Sequence, residues 1–508
     1  MRLNVNDYRD RLLGCWLGKN IGGTLGAPFE WRRQINDVSF YVQKDLRGRP
    51  VPNDDLDIQL LWLRVMELSG IDITAMKLAE YWVSYVTPHW CEYGTAKINM
   101  RQGLLPPLSG TCKNAYKHSC GAYIRSEIWA CIAPAMPDIA ARYAYEDAIL
   151  DHGDGEGMYA EIFMAALESA AFAVQDLKAA VEAGLSYIPA TCEVSRAVRT
   201  VLRCHGEGLW WKEARDEVLR LHRGGTFLGL PSHTSREDQE KGFLDGVQGF
   251  DVPSNIGMTL IGLLWGGDDF GRTVCTAVNC GEDTDCTGAT AGSVWGIMHG
   301  ARAIPGKWIE PIGRGIATIV LNLGDLSSGY EIPATVDDLA ERTLRIGRQV
   351  CLRHGRIEIC EDRPTDMSDT SCERLRAQDE GASVWRWKKG PRFDFEGFSF
   401  LWDYGEAGPV IRPAEPKQIV ITCFNNSRLQ ANLSLRWYLP DGWEARPSRQ
   451  CYVLSLPPLL GEPVQLKFEL FAPSLEGSTL RGVLEATIQG RPTVMLMPLT
   501  LLNGSLQA

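Results

Sequence analysis

At 508 residues the chain exceeds what one ordinary hydrophobic core fills, so two domains are expected. Hydrophobic residues at 45% and charged residues at 23% describe a soluble globular composition, neither disordered nor fibrous. A formal net charge of −11, with a pI near 5.4, excludes broad binding to a nucleic-acid backbone, which needs a basic surface, but leaves room for a small anion held by backbone amides.

The N-terminal stretch MRLNVNDYRDRLLGCWLGKN carries charge throughout and holds no apolar core of signal-peptide length. No apolar run long enough to cross a membrane follows, and the cytoplasm is the expected compartment. The 15 cysteines are scattered among apolar residues without a CxxC pair, which reads as buried reduced thiols rather than a disulfide framework or a zinc ribbon.

Up to about residue 358 the chain reads as helix after helix. The stretch DLDIQLLWLRVMELSG places Ile58, Leu61, Trp62, Val65 and Leu68 at helical spacing and stops at Gly70. EIFMAALESAAFAV and ATVDDLAERTLRIGRQVCLRHG repeat the pattern. Between helices, the Pro/Gly-rich Asn99–Gly110 segment reads either as a wall of a pocket mouth or as a tight connector. Trp210 and Trp211 read as core. The polar stretch from Leu221 to Phe243 is a candidate loop over a site. Asn255 reads as a helix cap, and Asp268 and Asp269 as solvated turn residues.

A polar segment around Glu361–Ser383 is expected to link this all-α domain (1–358) through residues 359–385 to a second domain (386–508). There KQIVITCFNN, ANLSLRWYLPDGW, PVQLKFELFAP, GVLEATIQG and TVMLMPLTLL are short alternating runs parted by Pro, Gly and Asn, which predicts a β-sandwich. Its tryptophans, Trp437 and Trp443, read as core in preference to a sugar-stacking face. The stretch around LPDGW loosely resembles Ig-like modules appended to bacterial carbohydrate enzymes.

Two acidic clusters carry the chemistry. Asn53, Asp54 and Asp55 open one helix, and Asp283 and Asp285 open another, which continues in small residues (Gly288, Ala289, Ala291, Gly292, Ser293) suited to close backbone packing. Each cluster alone reads most simply as helix capping. Together the four carboxylates would repel unless protonated or neutralised, and hard divalent cations bind such oxygens. Glu30, closing GAPFE, is either a first-turn residue or the acid, base or nucleophile of a glycosidase. Lys19 is either a surface residue or a counter-charge to a carboxylate or a substrate anion.

GCWLGKNIGGTLGAPFE, PNDDLDIQLLW, DHGDGEGMYAEIFMAA and AVNCGEDTDCTGATAGSVWGIMHGARAIPGKW, in that order, resemble the ADP-ribosylglycohydrolase family from about Arg11 to the 340s. The resemblance implies a compact all-α fold around two Mg²⁺ ions, with Ca²⁺ or Mn²⁺ as alternatives. It further implies hydrolysis at the anomeric carbon of an ADP-ribosyl or related furanosyl substrate. By position, Asn53, Asp54, Asp55, Asp283 and Asp285 are the implied metal ligands, and Glu30, Asp55 and Asp285 the implied catalytic residues. His152, Gly121 and Arg125 are the implied substrate contacts. Asn53 and Cys286 stand where the family has threonine, and Lys19 where it often has aspartate. These departures leave two alternatives beside the family's chemistry: a furanosidase on the same scaffold, or a non-catalytic ADP-ribose or glycan binder. The implied partner is a small molecule or glycan, with neither nucleic acid nor membrane; no oligomeric state is implied.

Overall fold

The computed structural model describes residues 1–222, 234–243, 251–326, 332–366, 371–378, 385 and 390–506. The helical half runs to Gly355, whose left-handed backbone (φ 64°) ends the Val336–His354 helix. Its one strand in the described residues before that point, Arg2–Asn4, pairs in parallel with Glu358–Cys360.

The architecture turns on one helix pair. The first helix, Val5–Gly26, lies antiparallel to the Thr284–His299 helix, and the two backbones touch. A Cβ on Gly18 would sit 2.0 Å from the Gly292 carbonyl oxygen, and one on Gly22 would sit 2.0 Å from that of Gly288. Only glycine allows this approach, because any other side chain would force the helices apart. At the close of the pair, Thr284 Oγ1 donates to the Gly26 carbonyl at 2.8 Å. The end of one helix and the start of the other are thereby held side by side.

The Asp54–Ser69 helix starts at Asn53, whose Oδ1 accepts the Asp55 N–H at 2.8 Å, and stops at Gly70 with φ 83°. Ile58, Leu61, Trp62 and Val65 are fully buried, as their spacing predicts, whereas Leu68 is exposed where the last turn leaves the core. Asp268 and Asp269 are exposed as expected, Asp269 capping the Phe270–Asn279 helix. Trp210 departs from its core reading: it is 56% exposed, with Lys212 Nζ 4.9 Å from its ring centre. The loop expected over a site lies in part outside the described residues, which include its Leu221–His222 and Thr234–Phe243 but not residues 223–233.

The C-terminal half forms two five-stranded sheets. One runs in the order Arg392–Phe395, Phe398–Asp403, Lys417–Asn425, Val464–Phe471, Glu444–Arg446. The other runs Val410–Ile411, Val494–Asn503, Thr479–Ile488, Ala431–Tyr438, Gln450–Ser455. Trp437 and Trp443 are buried in the core between them, not presented to a sugar. Leu104 and Leu108 of the helical half enter this same core, and Arg481 Nη2 donates to the Gln102 carbonyl at 3.0 Å. The Asn99–Gly110 segment therefore docks the two halves together, lining clefts between them but not the cavity that holds the acid clusters. The connecting chain is also tied down: Tyr187 Oη donates to the Leu375 carbonyl, and the Ala377 N–H to Ser186 Oγ.

Cysteines whose side chains are described are free thiols, mostly buried. No helix among the described residues is long and apolar enough to cross a membrane.

Candidate active site

Three segments meet where the glycine-packed helix pair ends. The first helix passes into a short 3₁₀ turn, Ala27–Phe29, which delivers Glu30. The Asn53-capped helix start brings Asp54 and Asp55. The turn before Thr284 brings Asp283, with Asp285 and Cys286 in the first turn of the helix.

That last turn is conformationally demanding, because Glu282 takes a left-handed backbone (φ 70°). It is held from both sides. The Glu282 N–H donates to the Arg32 carbonyl, the Trp31 N–H donates to the Glu282 carbonyl, and the buried Arg33 guanidinium grips both Glu282 carboxylate oxygens. Asn255 Oδ1 then accepts the Asp283 N–H at 3.1 Å. Asn255 is thus a strut under Asp283 and not the cap of its own helix; that place belongs to Asp251.

The acid groups converge. One ligand atom each from Glu30, Asp283 and Asp285 lies within 4.8 Å of the others, and so does one each from Asp55, Asp285 and Cys286. Asp285 belongs to both sets. Asp55 Oδ2, Asp283 Oδ1 and Asp285 Oδ1 are buried without a hydrogen-bond partner among the described residues. Burying bare carboxylate oxygens is costly, and a cation is the group that would complete them. Burial pushes Asp55, Asp283 and Asp285 up from their ordinary range, with repulsion from neighbouring carboxylates adding to it for Asp55 and Asp283, and Glu30 is pushed far up through burial, Asp285 and Asp54. Asp54 rises to about 6, mainly by burial and then Asp285, although Tyr93 Oη donates to it at 3.2 Å. The donor set of closely spaced, unsatisfied oxygens fits hard divalent cations. Asn53 Oδ1, occupied once by the Asp55 N–H, retains a second lone pair for an ion.

Lys19 is not a surface residue. It is buried, and its Nζ donates to Glu127 Oε1 at 2.7 Å and to the Ile124 carbonyl at 2.6 Å, with Asp55 Oδ2 3.8 Å away. Burial works against its charge, but Glu127 and Asp55 outweigh it and raise its pKa. Lys19 is a built-in counter-charge beside the cluster.

The cluster forms the floor of a cavity of about 390 Å³. Glu30, Asp54, Asp283 and Asp285 reach it, Gly121 borders it, and Trp31 and Trp90, 47% and 48% exposed, flank it. Two implied substrate contacts stand behind its wall instead. His152 is fully buried, with Nδ1 on Asp151 and Nε2 on Ser119, and it is Ser119 that borders the cavity. Arg125 is fully buried and spent on Asp147, Asp151 and the Gly121 carbonyl, so it braces the Gly121 segment without facing the cavity.

Glu92, Trp90 and Asp57 were not picked out by their sequence. Glu92 borders the cavity, and burial pushes it up to about 7. Asp57 Oδ2 accepts the N–H groups of Ile319 and Val320 at 2.6 and 2.7 Å, which seats Ile319 against the cavity. Asp57, two residues past Asp55, carried a local signal as a third acid on the same helix start. Glu92 and Trp90 carried none, because their partners are distant in sequence.

Paired acids beside a cavity, on a helical scaffold, form a candidate catalytic centre. The family model for ADP-ribosylglycohydrolase matches residues 4–347, and the chain belongs to that family, which points to glycosyl-hydrolase chemistry. No curated protein sequence matches the chain significantly. Among solved structures, the crystal structure of a FixG-related protein from Vibrio parahaemolyticus is similar at 15% identity, covering 21% of this chain and 95% of that one, with a TM-score of 0.17. A likeness of that size supports no conclusion about function.

Proposed function

We propose that the protein is a divalent-cation-dependent glycoside hydrolase that cleaves the bond at the anomeric carbon of an ADP-ribosyl or related ribofuranosyl substrate. The observation that carries this reading is the position of Asp285, shared between the Glu30–Asp283 set and the Asp55–Cys286 set, as a carboxylate serving two neighbouring ions would be. Asn53, Asp54, Asp55, Asp283 and Asp285 would hold two cations, Mg²⁺ in the first instance, which supply charge neutralisation and Lewis-acid polarisation of substrate oxygens.

The chain's own groups do the rest. Glu30, set beside Asp283 and Asp285, exchanges a proton at the scissile bond, giving it to the leaving group or taking it from the attacking water. Trp31 and Trp90 border the cavity, where indole side chains suit a sugar or base. Arg33 and Asn255 fix the Asp283 turn, so the carboxylates need not reorganise as charge develops.

The test is product release, with EDTA or with added Mg²⁺, from ADP-ribosylated peptide, ADP-ribose polymer and aryl ribo-, arabino-, galacto- and fructofuranosides. Metal-dependent release from the ADP-ribosyl substrates is expected; silence across the panel would leave the reading without an activity. A plain furanoside is the second reading. Among the described residues that border the cavity none is an arginine or lysine that could pair with a pyrophosphate, which favours an uncharged sugar.

A further inference from the structure

The two ligand sets that share Asp285 differ in chemistry. Glu30, Asp283 and Asp285 offer oxygen alone, whereas Asp55, Asp285 and Cys286 offer two carboxylates and a thiol. Cys286 turns toward the cluster: its Sγ donates to Asp55 Oδ1 at 3.4 Å, and the residue borders the cavity floor. All three side chains are buried. Independently of the thiol, Asp55 Oδ2, which Lys19 Nζ approaches only to 3.8 Å, and Asp285 Oδ1 are buried with no hydrogen-bond partner among the described residues, so each keeps acceptor capacity for a cation.

We propose that the two halves of the site are unlike metal positions, and that the half built from Asp55, Asp285 and Cys286 selects a borderline transition ion of the Zn²⁺ or Co²⁺ class over Mg²⁺, with the Cys286 thiolate as a direct ligand. The proposal rests on the cation-dependent reading above. Mg²⁺ demands oxygen in near-octahedral array and gains little from sulfur, whereas Zn²⁺ and Co²⁺ accept thiolate, imidazole and carboxylate together. On binding, the thiol proton leaves to solvent and a sulfur–metal bond forms, releasing Asp55 Oδ1 from the S–H contact for the ion. The other half, oxygen only, keeps the preference for a hard cation. Cys286, standing where the family has threonine, therefore changes which ion is held and does not erase a position.

The experiment is a Co²⁺ titration of the full-length, EDTA-stripped protein in a thiol-free reductant, followed by absorbance. The expected result is a saturable near-ultraviolet thiolate-to-cobalt charge-transfer band beside the visible ligand-field bands, resistant to excess Mg²⁺. Cys286→Ser should lose the charge-transfer band and bind Co²⁺ more weakly by at least the roughly 10- to 100-fold that changes in the outer shell already cost. Ligand-field bands without charge transfer in the unaltered protein would overturn the proposal while leaving the cation site standing. A charge-transfer band that persists in Cys286→Ser would assign it to another thiol and overturn the proposal too. Absence of any Co²⁺ uptake would overturn both readings. Should Cys286→Ser fail to fold, alkylation of Cys286 in the unaltered protein, read by peptide mass spectrometry, decides the matter. Protection by Co²⁺ but not by Mg²⁺ supports the proposal, and equal alkylation in the two ions overturns it.

Discussion

Lys19 Nζ lies 3.8 Å from Asp55 Oδ2 and 2.7 Å from Glu127 Oε1, with all three side chains shut off from water. Gln59 completes the arrangement, donating to Glu127 Oε2 at 2.9 Å. A single ammonium thus offsets part of the acid cluster permanently, whatever the cation load. Lys19→Met would leave Glu127 and Asp55 buried without it, and breaking such a pair from one side costs about 3–5 kcal/mol. Urea unfolding is the measurement. Lys19→Met/Glu127→Gln should recover part of the loss, and a single substitution without effect would show the ammonium to be incidental.

Asp285 is shared by both ligand sets, so its loss should be felt only when ions are present. Asp285→Asn and Asp55→Ala are each expected to abolish turnover. Each should lower the melting temperature clearly in Mg²⁺ but little, or even upward, in EDTA, where one repelling carboxylate has gone. Equal loss in both buffers would reduce these aspartates to helix caps.

The acid cluster also sets a pH dependence whose sign can be worked out. Asp54 titrates at about 6 in the folded protein against an ordinary value of 3.8, and Asp55, Asp283, Asp285 and Glu30 shift the same way. Between those values the folded chain binds more protons than the unfolded one, so stability is greatest at the acid side and falls as pH rises. In EDTA the protein should melt higher at about pH 5 than at about pH 7.5. With Mg²⁺ the trend should flatten or reverse, because the cation replaces the proton. A melting temperature in EDTA that rises with pH would contradict this account.

Glu30→Gln removes the exchangeable proton and keeps the shape. Because the glutamine amide keeps one oxygen for the Glu30–Asp283–Asp285 set, metal content should be nearly unchanged, while kcat falls by roughly 10²–10⁴-fold, the range for a general acid–base group. Parallel metal analysis and rate measurement separate the two; a variant of full activity would take Glu30 out of the mechanism.

A chain ending near residue 385 would strip the cover from Leu104 and Leu108, which sit in the core of the sandwich. Such a truncation is expected to aggregate unless Leu104→Ser and Leu108→Ser accompany it, and size-exclusion chromatography of the two forms compares them. A monodisperse truncation without the changes would show the sandwich to be an independent appendage.

The sequence by itself determined what depends on neighbours along the chain. Helical spacing in the Asp54–Ser69 and Val336–His354 stretches, the stops at Gly70 and Gly355, and the alternating runs after residue 416 are local patterns, and each became the element expected. The four ordered motifs likewise marked Asp54, Asp55, Asp283, Asp285 and Glu30, which the fold brings to one cavity or its floor. Tertiary structure decided what depends on facing groups. Lys19 is a counter-charge because Glu127, more than a hundred residues away, was folded against it. Arg125 and His152 were turned from substrate contacts into braces by Asp147 and Asp151. Asn255 became a strut because Asp283 was brought above it, and Leu104 a docking residue because a second domain closed over it. Spacing reveals which side of a helix is apolar. A buried charge takes its role from whatever partner the folded chain sets within hydrogen-bonding distance, and that partner has no fixed offset in sequence.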